Sequence, residues 1–420
     1  MIDITLLRNE ESKDKSIAQL EKRGVERARI EELLAVDKSW RTLSEQVEKL
    51  RADKNSANEA INQQSAAERE PLIAKMKGVA EQEKELSVQL KEAQQARDTL
   101  WRALPNIPLH DVPTGGEEDF EVVAESKTPK PATALRDYLS LLGNDIDLER
   151  AAKVSGSRFV YIRGQLARLE LGLVSYVVDT LSNKGFTPVI PPVLVKEEAM
   201  AGMGYLDQAG EEEVYRTQDN LYLVGTSEQS IGPMHMNEIL DLKHPLRYVG
   251  ISPCFRREAG SHGKDVKGIL RLHQFDKVEM FSFTRPQDSS AEHEFILEQQ
   301  RSIADALELP YRVVKLAAGD LGAPSAKTYD IETWIPGEEA YRETHSTSNT
   351  TDYQARRLNI RTRLDDGSTV KAHLLNGTAI ALSRILIALI ENHQQSDGSI
   401  HIPQALGSYL PFTQIQPQGK

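Results

Sequence analysis

The stretch FRREAGSHGKDVKGILRLHQFDKVEMFSF, from Phe255 to Phe283, decides how the chain is read. From Arg271 onward it alternates as a strand does, successive side chains facing opposite ways. Arg271, His273, Phe275, Lys277 and Glu279 fall on one face, with Leu272, Val278 and Met280 on the other. The opening residues behave alike up to Glu258, Arg256 and Glu258 lying opposite Phe255. A connection carrying Gly260, Gly263 and Gly268 joins the two runs. The pattern predicts a long-looped hairpin whose outward face holds arginines, carboxylates and one aromatic ring. A solvated face with a stray phenylalanine is the ordinary account of such a hairpin, so the rest of the chain must decide.

The 420 residues suffice for two or three domains with a sizeable core. At 39% hydrophobic and 27% charged, the composition is that of a globular protein rather than a disordered or fibrous one. No run approaches the ~18 apolar residues of a membrane span, and MIDITLLRNE lacks the pattern of a secretory signal. The expected compartment is the cytoplasm. A single cysteine, Cys254, excludes an internal disulfide and a cysteine-based zinc cluster. The net charge of −12 argues against nonspecific nucleic-acid binding over the whole surface but permits a local basic track.

Outward from the hairpin, the chain divides in three. From about 26 to 104, Leu33, Val36, Trp40, Leu43, Val47, Leu50, Lys54, Ala57 and Ile61 alternate three- and four-residue steps. A second series runs Leu72, Val79, Leu86, Ala93 and Leu100 at sevens, with Met76, Glu83, Leu90, Arg97 and Leu104 between. Two heptad seams with one break, around Gln63 to Pro71, predict an antiparallel helical hairpin with arms of roughly 55 Å. Periodicity alone favours a dimerisation element. Residues 26–104 nonetheless carry 14 Lys/Arg against 15 Asp/Glu, so nearly all the excess acid lies elsewhere and the arm is the part least hostile to a polyanion. Residues 105–133, rich in proline, glycine and acid, read as a linker with little regular structure. From 134 to 420, helical patterns surround strands clustered between 213 and 283. That order suggests an α+β domain with an antiparallel sheet flanked by helices.

Neither GxxxxGK[ST] nor a strand-linked GxGxxG occurs, so a bound nucleotide would be held by side chains. Arg384, read on a helix, has Ile380, Ala381, Ile387 and Ala388 three and four positions away. A guanidinium in such company needs an anion, either a ligand or a structural carboxylate. Asn376, Gly377 and Thr378 are placed to cap that helix. Thr226 and Glu228 read as one strand face, and Glu343 and Ser346 as hard oxygen donors suited to Mg²⁺. A triphosphate with a purine would satisfy all these groups at once. Phe275 would stack on the base and the forked guanidiniums of Arg256, Arg271 and Arg384 would take the phosphates.

FRRE…RLHQF and NGTAIALSR resemble motifs 2 and 3 of the class II aminoacyl-tRNA synthetases, and GFTPVIPP, ending at Pro192, resembles motif 1. The Thr226-Ser227-Glu228 triplet, HQFDKVEMF and TDYQARRLNIR narrow the likeness to the seryl-tRNA synthetases, over essentially the whole chain. The resemblance implies a six- to seven-stranded antiparallel sheet, an N-terminal tRNA-binding domain (1–104) and a catalytic domain (134–420). It further implies a homodimer built across motif 1, activation of L-serine with ATP and Mg²⁺, and transfer to tRNA(Ser). The coiled coil would grip the tRNA, in place of dimerisation, and tRNA(Sec) would be a further substrate where the host has one. Thr226, Ser227, Glu228, Glu279, Asn376 and Thr378 then match the serine site. Arg256, Arg257, Glu258, Arg271, Leu272, Phe275, Glu343, Thr344, His345, Ser346 and Arg384 match the ATP site. Glu343 and Ser346 match the metal ligands, and Arg256, Arg271 and Arg384 the catalytic arginines.

His345 stands where the family usually has a small serine, and Ser383 where a proline or glycine is usual. A titratable ring beside Glu343 is expected to alter metal affinity or its pH dependence. A catalytically impaired relative is opposed by the intact Arg256, Glu279 and Arg384. An enzyme serving a carrier protein or peptide acceptor is opposed by the long arm.

Overall fold

The computed structural model describes residues 1–63, 66–126, 136–207, 210–259 and 267–417. Gly260 and Gly263 of the hairpin connection, and 127–133 of the linker, lie outside them. Two compact units emerge: Ile2–Pro105, and Met1 with Asn106–Lys420.

In the first unit, helices α1 (Arg27–Gln63) and α2 (Ala66–Arg102) pack side by side. The seam read from the sequence is the less exposed stripe of each: Leu33 and Val47 are fully buried, and Trp40, Leu43, Leu50, Val79, Leu86 and Leu90 half-buried, while the residues between are mostly exposed. The polar seam positions have partners. Lys54 and Arg51 both reach Glu83, at 3.0 and 3.1 Å, and the Arg97 guanidinium lies 3.8 Å from the Trp40 ring centre. These contacts pair the middle of each helix with the middle of the other and the start of α1 with the end of α2, the antiparallel arrangement expected. The break is shorter than expected, because α2 begins at Ala66, ahead of Pro71.

The second unit is built on eight strands: β1 (Glu121–Glu125), β2 (Thr187–Val189), β3 (Leu246–Phe255), β4 (Gln274–Thr284), β5 (Tyr311–Lys315), β6 (Lys327–Ile335), β7 (Ala340–Asn349) and β8 (His373–Ala381). Their order across the sheet is β1-β5-β6-β7-β8-β4-β3-β2, antiparallel throughout except the β3–β2 edge pair. Helices α3 (Gly164–Ser182), α4 (Ser289–Ala306) and α5 (Leu382–Asn392) pack on it. The core gathers Leu169, Leu173 and Val177 of α3, Val278 and Met280 of β4, and Ile385, Leu386 and Leu389 of α5. Each such side chain contributes about 1.5–3 kcal/mol by leaving water.

Four expectations change. Residues 121–125 of the presumed linker form an edge strand on β5, which raises the sheet to eight. Strands are not confined to 213–283, since β5 to β8 lie beyond. Asn376, Gly377 and Thr378 lie within β8, as do Ile380 and Ala381, so they cap no helix; α5 starts at Leu382 after Ala381. Thr226 and Glu228 share no strand: the nearest ends at Leu223, and Glu228 opens the short helix Glu228–Ile231.

Candidate active site

The pleat of β4 lays out one side of the site. Lys277 and Glu279, two residues apart, point to the same face, but that face is not solvated: both side chains are nearly inaccessible. They line a cavity of about 450 Å³ with Tyr205, Thr226, Glu228, Arg256, Glu343, Ser346, Asn376 and Thr378. A narrower recess shares Arg256, Lys277, Glu343 and Thr378 with it and adds Glu258, Arg271, Leu272, Phe275, Thr344, Ser383 and Arg384. The two adjoin through these four shared residues and make a hollow with two chemically different ends.

Two β-bulges make this convergence possible. Glu343 and Ser346 are three residues apart, which in a regular strand puts them on opposite faces. Between Glu343, opposite Glu332, and His345, opposite Ile331, β7 carries the extra residue Thr344. That extra residue restores the parity, so both oxygens face the cavity. In β8 the pairs Thr378–Glu279 and Ile380–Val278 leave Ala379 extra, and Thr378 and Ala381 come to the same side. Gln300 of α4 ties the two strands together, its amide donating to the backbone oxygens of Ser346 (2.9 Å) and Thr378 (2.8 Å).

At the first end, the Tyr205 hydroxyl donates to the Glu228 carboxylate. Burial and the neighbouring Glu279 raise the Glu228 pKa to about 7. Thr378 Oγ1 donates to Glu279 Oε2 at 3.1 Å, and Lys277 Nζ meets the same oxygen at 2.6 Å. Buried Thr226 Oγ1 has no hydrogen-bond partner among the described residues, which suits a group that meets a ligand. Between the ends, Arg256 is anchored through Nε to the Gly225 carbonyl (3.1 Å), its guanidinium 5.3 Å from the Phe275 ring centre. At the second end Arg271 Nη1 donates to Glu258 Oε2 at 3.1 Å. Glu258 has φ +52°, a left-handed backbone incompatible with a strand, and β3 ends before it, at Phe255. Arg384 Nη1 donates to the Glu343 carbonyl at 2.8 Å and lies 3.1 Å from its Oε2. Burial opposes ionisation of Glu343, but the Arg384 charge outweighs it and holds the carboxyl below its ordinary pKa. The structural carboxylate that the sequence allowed for Arg384 is thus real, and it is itself a site residue.

Three expected residues lie off the hollow. Ser227 is fully buried behind it, its Oγ 2.5 Å from where a Cβ on Gly250 would stand, and Arg257 is exposed. His345 pairs with Ile331, lines neither end and is completely buried; burial lowers its pKa to about 4, so it stays neutral at physiological pH. The expected titrating ring at the metal ligands is therefore absent. Conversely Tyr205, Lys277 and Gln354 line the site without having been assigned a role; Lys277 had a sequence signal in the alternating face of β4 and Gln354 lies within TDYQARRLNIR, whereas Tyr205 had none.

A divalent cation fits the donor set. Glu343 is ionised at neutral pH, Ser346 offers a hydroxyl, and opposite Ser346 lies the buried carboxyl of Asp330, its pKa pushed well up by burial and the Glu343 charge, whose Oδ1 has no hydrogen-bond partner among the described residues. Few protein donors with open positions suit magnesium, which is commonly shared with substrate phosphates.

Comparison with known proteins places these features. Residues 1–108 match the Seryl-tRNA synthetase N-terminal domain, and 212–393 match the tRNA synthetase class II core domain (G, H, P, S and T). The chain is 46% identical to a serine–tRNA ligase of Mycolicibacterium smegmatis over 99% of its own length and 100% of the relative's. It is 44% identical to that of Thermobifida fusca, with each chain fully covered. Among solved structures it resembles the seryl-tRNA synthetase of Pyrococcus horikoshii complexed with ATP, at TM-score 0.90 and 40% identity over the whole of both chains. It also resembles the cytoplasmic enzyme of Naegleria fowleri in complex with AMP, at TM-score 0.87 and 28% identity over 99% of each.

Proposed function

The chain belongs to the seryl-tRNA synthetase family, and we propose that it activates L-serine with ATP and passes the seryl group to the 3′ end of tRNA(Ser) through the side chains described above. One observation carries this reading: a single hollow with carboxylates and hydroxyls at one end, an aromatic ring with arginines at the other, and Arg256 between.

Glu228 takes the serine ammonium, and Glu279 with Thr378 meets its hydroxyl. Asn376 closes the wall beside them. At the far end Phe275 stacks on adenine, with Glu258 and the Leu272 backbone reading its edge. The anchored Nε of Arg256 directs the rest of the guanidinium to the α-phosphate and the serine carboxylate, where Arg forks match the oxygens. Arg271 and Arg384 hold the outer phosphates. A serine carboxylate oxygen attacks the α-phosphorus, the bond to the β-phosphate breaks, and pyrophosphate leaves. A hydroxyl of the terminal ribose then attacks the seryl carbonyl and releases AMP. Neither step needs a protein nucleophile, so catalysis consists of alignment and charge stabilisation. Mg²⁺ held by Glu343 and Ser346 would neutralise phosphate charge.

The arm is assigned to tRNA binding, with tRNA(Sec) a second substrate where one exists. No helix among the described residues is long and apolar enough to cross a membrane. We place the enzyme in the cytoplasm as a homodimer formed around α3 and β2, where Leu171 and Ile190 are 69% and 84% exposed.

The test is ATP–pyrophosphate exchange with serine, alanine, threonine and glycine in parallel, with and without Mg²⁺, followed by charging of tRNA(Ser). Exchange must depend on serine and on the metal; exchange with none of the four from folded protein would defeat the reading. The raised pKa of Glu228 adds a pH signature. An ammonium pairs with the ionised carboxylate only, so the KM for serine should rise about tenfold per unit as pH falls below about 7. Serine binding at pH 6 should release a proton, seen by calorimetry in buffers of different ionisation enthalpy. A flat KM and no proton release between pH 6 and 8 would mean that Glu228 is already ionised.

A further inference from the structure

Of the charged residues that line both ends of the hollow, Arg256, Lys277 and Glu343, the mechanism above leaves Lys277 without a task. Its side chain is 7% exposed, and it stands two residues before Glu279 on the cavity face of β4. A lysine so deeply buried is costly unless an anion holds it. The neighbouring strands give it room, since its partners across the sheet are Ser252 of β3 and Ala381 of β8. Its ammonium meets Glu279 Oε2 at 2.6 Å. Thr378 Oγ1 donates to that same Oε2 from the other side. Two donors thus converge on one carboxylate oxygen, which fixes the plane of the group and the direction in which Oε1 points.

We propose that Lys277 is a positioning residue for substrate choice: by pinning Oε2 of Glu279 it presents Oε1 as a fixed acceptor for the serine hydroxyl, and so sets the discrimination against amino acids without a hydroxyl. The proposal rests on the functional reading above and deepens it. A carboxylate free to rotate would offer either oxygen, or turn to Thr378 alone, and would satisfy itself when alanine enters. A pinned one leaves a buried acceptor unpaired under the alanine methyl, and unpaired buried acceptors are what make hydroxyl recognition selective. The same cation, together with Arg256, also favours the ionised form of Glu228. A purely structural counter-ion would cost stability or activity without changing which amino acid is preferred.

The experiment measures serine- and alanine-dependent ATP–pyrophosphate exchange side by side for the full chain, Lys277→Met, Glu279→Gln and the double variant, with thermal midpoints recorded for each. In Lys277→Met the kcat/KM for serine should fall about 100-fold and that for alanine only a few-fold, so the serine-to-alanine ratio drops about tenfold or more. In the Glu279→Gln background, removing Lys277 should leave the ratio nearly where Glu279→Gln alone put it, because the lysine acts through that carboxylate. An unchanged ratio in Lys277→Met overturns the proposal, as does a full independent drop in the double variant. If Lys277→Met does not fold, Lys277→Gln, which keeps a donor but no charge, takes its place: a lowered ratio supports the proposal and an unchanged one overturns it. No serine-dependent exchange by the unaltered chain overturns the functional reading and this proposal together, whereas a normal parent with an unaltered variant ratio overturns this proposal alone.

Discussion

Arg384→Ala should lower serine-dependent pyrophosphate exchange by about 10³-fold or more, near the limit of detection. The arginine does two things in one place. It faces the recess assigned to the outer phosphates, where removal of one preorganised donor commonly costs about 10²–10³ in rate. It also holds Glu343 through the backbone carbonyl and the carboxylate. Without it, Glu343 loses the charge that offsets its burial, and its carboxyl pKa should climb. Metal affinity should then weaken alongside phosphate alignment. Manganese binding followed by electron paramagnetic resonance separates the two effects: a variant that binds manganese normally but does not turn over has lost alignment only. Arg384→Lys keeps the charge but not the fork and should recover a small part of the rate. Activity of Arg384→Ala within tenfold of the parent would mean that this arginine serves Glu343 and nothing else.

Removal of residues 27–102, with a short glycine linker in their place, should leave pyrophosphate exchange within a few-fold of the parent and reduce tRNA(Ser) charging by about 10³-fold or more. The helices are antiparallel, so the ends to be joined lie on the same side of the hairpin. The serine and ATP groups all belong to Asn106–Lys420, while the helices belong to Ile2–Pro105. A nucleic acid held along a charged surface loses most of its affinity with that surface. Charging retained at parental kcat/KM would return the arm to the dimerisation role that periodicity alone favours, and the oligomeric state of the shortened chain would then be the measurement to make.

The arm is legible in the sequence because a heptad is a long signal: many positions agree, and the three that break the apolar rule, Lys54, Glu83 and Arg97, find partners across or within the hairpin. Most of the site is legible as residue types, since arginines and carboxylates in apolar surroundings ask for a ligand. Its architecture is less so. Simple alternation cannot show that Glu343 and Ser346 share a face, because a bulge is fixed by the partner strand and not by the strand's own pattern. Asn376 and Thr378 look like helix-capping residues because their polarity precedes an apolar helix, although it serves the cavity from within a strand. β1 is hidden because EVVAE is short, charged at both ends and defined by its pairing with β5. His345 stands out as a titratable ring, whereas the side it faces depends on the same bulge that alternation does not reveal.

The bulge at Thr344 carries a consequence for how this chain can change its length. Substitutions along β7 alter one side chain at a time, but adding or deleting one residue between Glu343 and Ser346 swaps inside for outside over the rest of the strand. Deletion of Thr344 would make the pairing regular and turn either Glu343 or Ser346 away from the cavity. The same holds for Ala379 in β8, with Thr378 and Ala381 at stake. Gene-shuffling or loop-grafting across these two strands should therefore yield active chimeras only when the crossover keeps both odd counts, whatever the similarity of the spliced sequences.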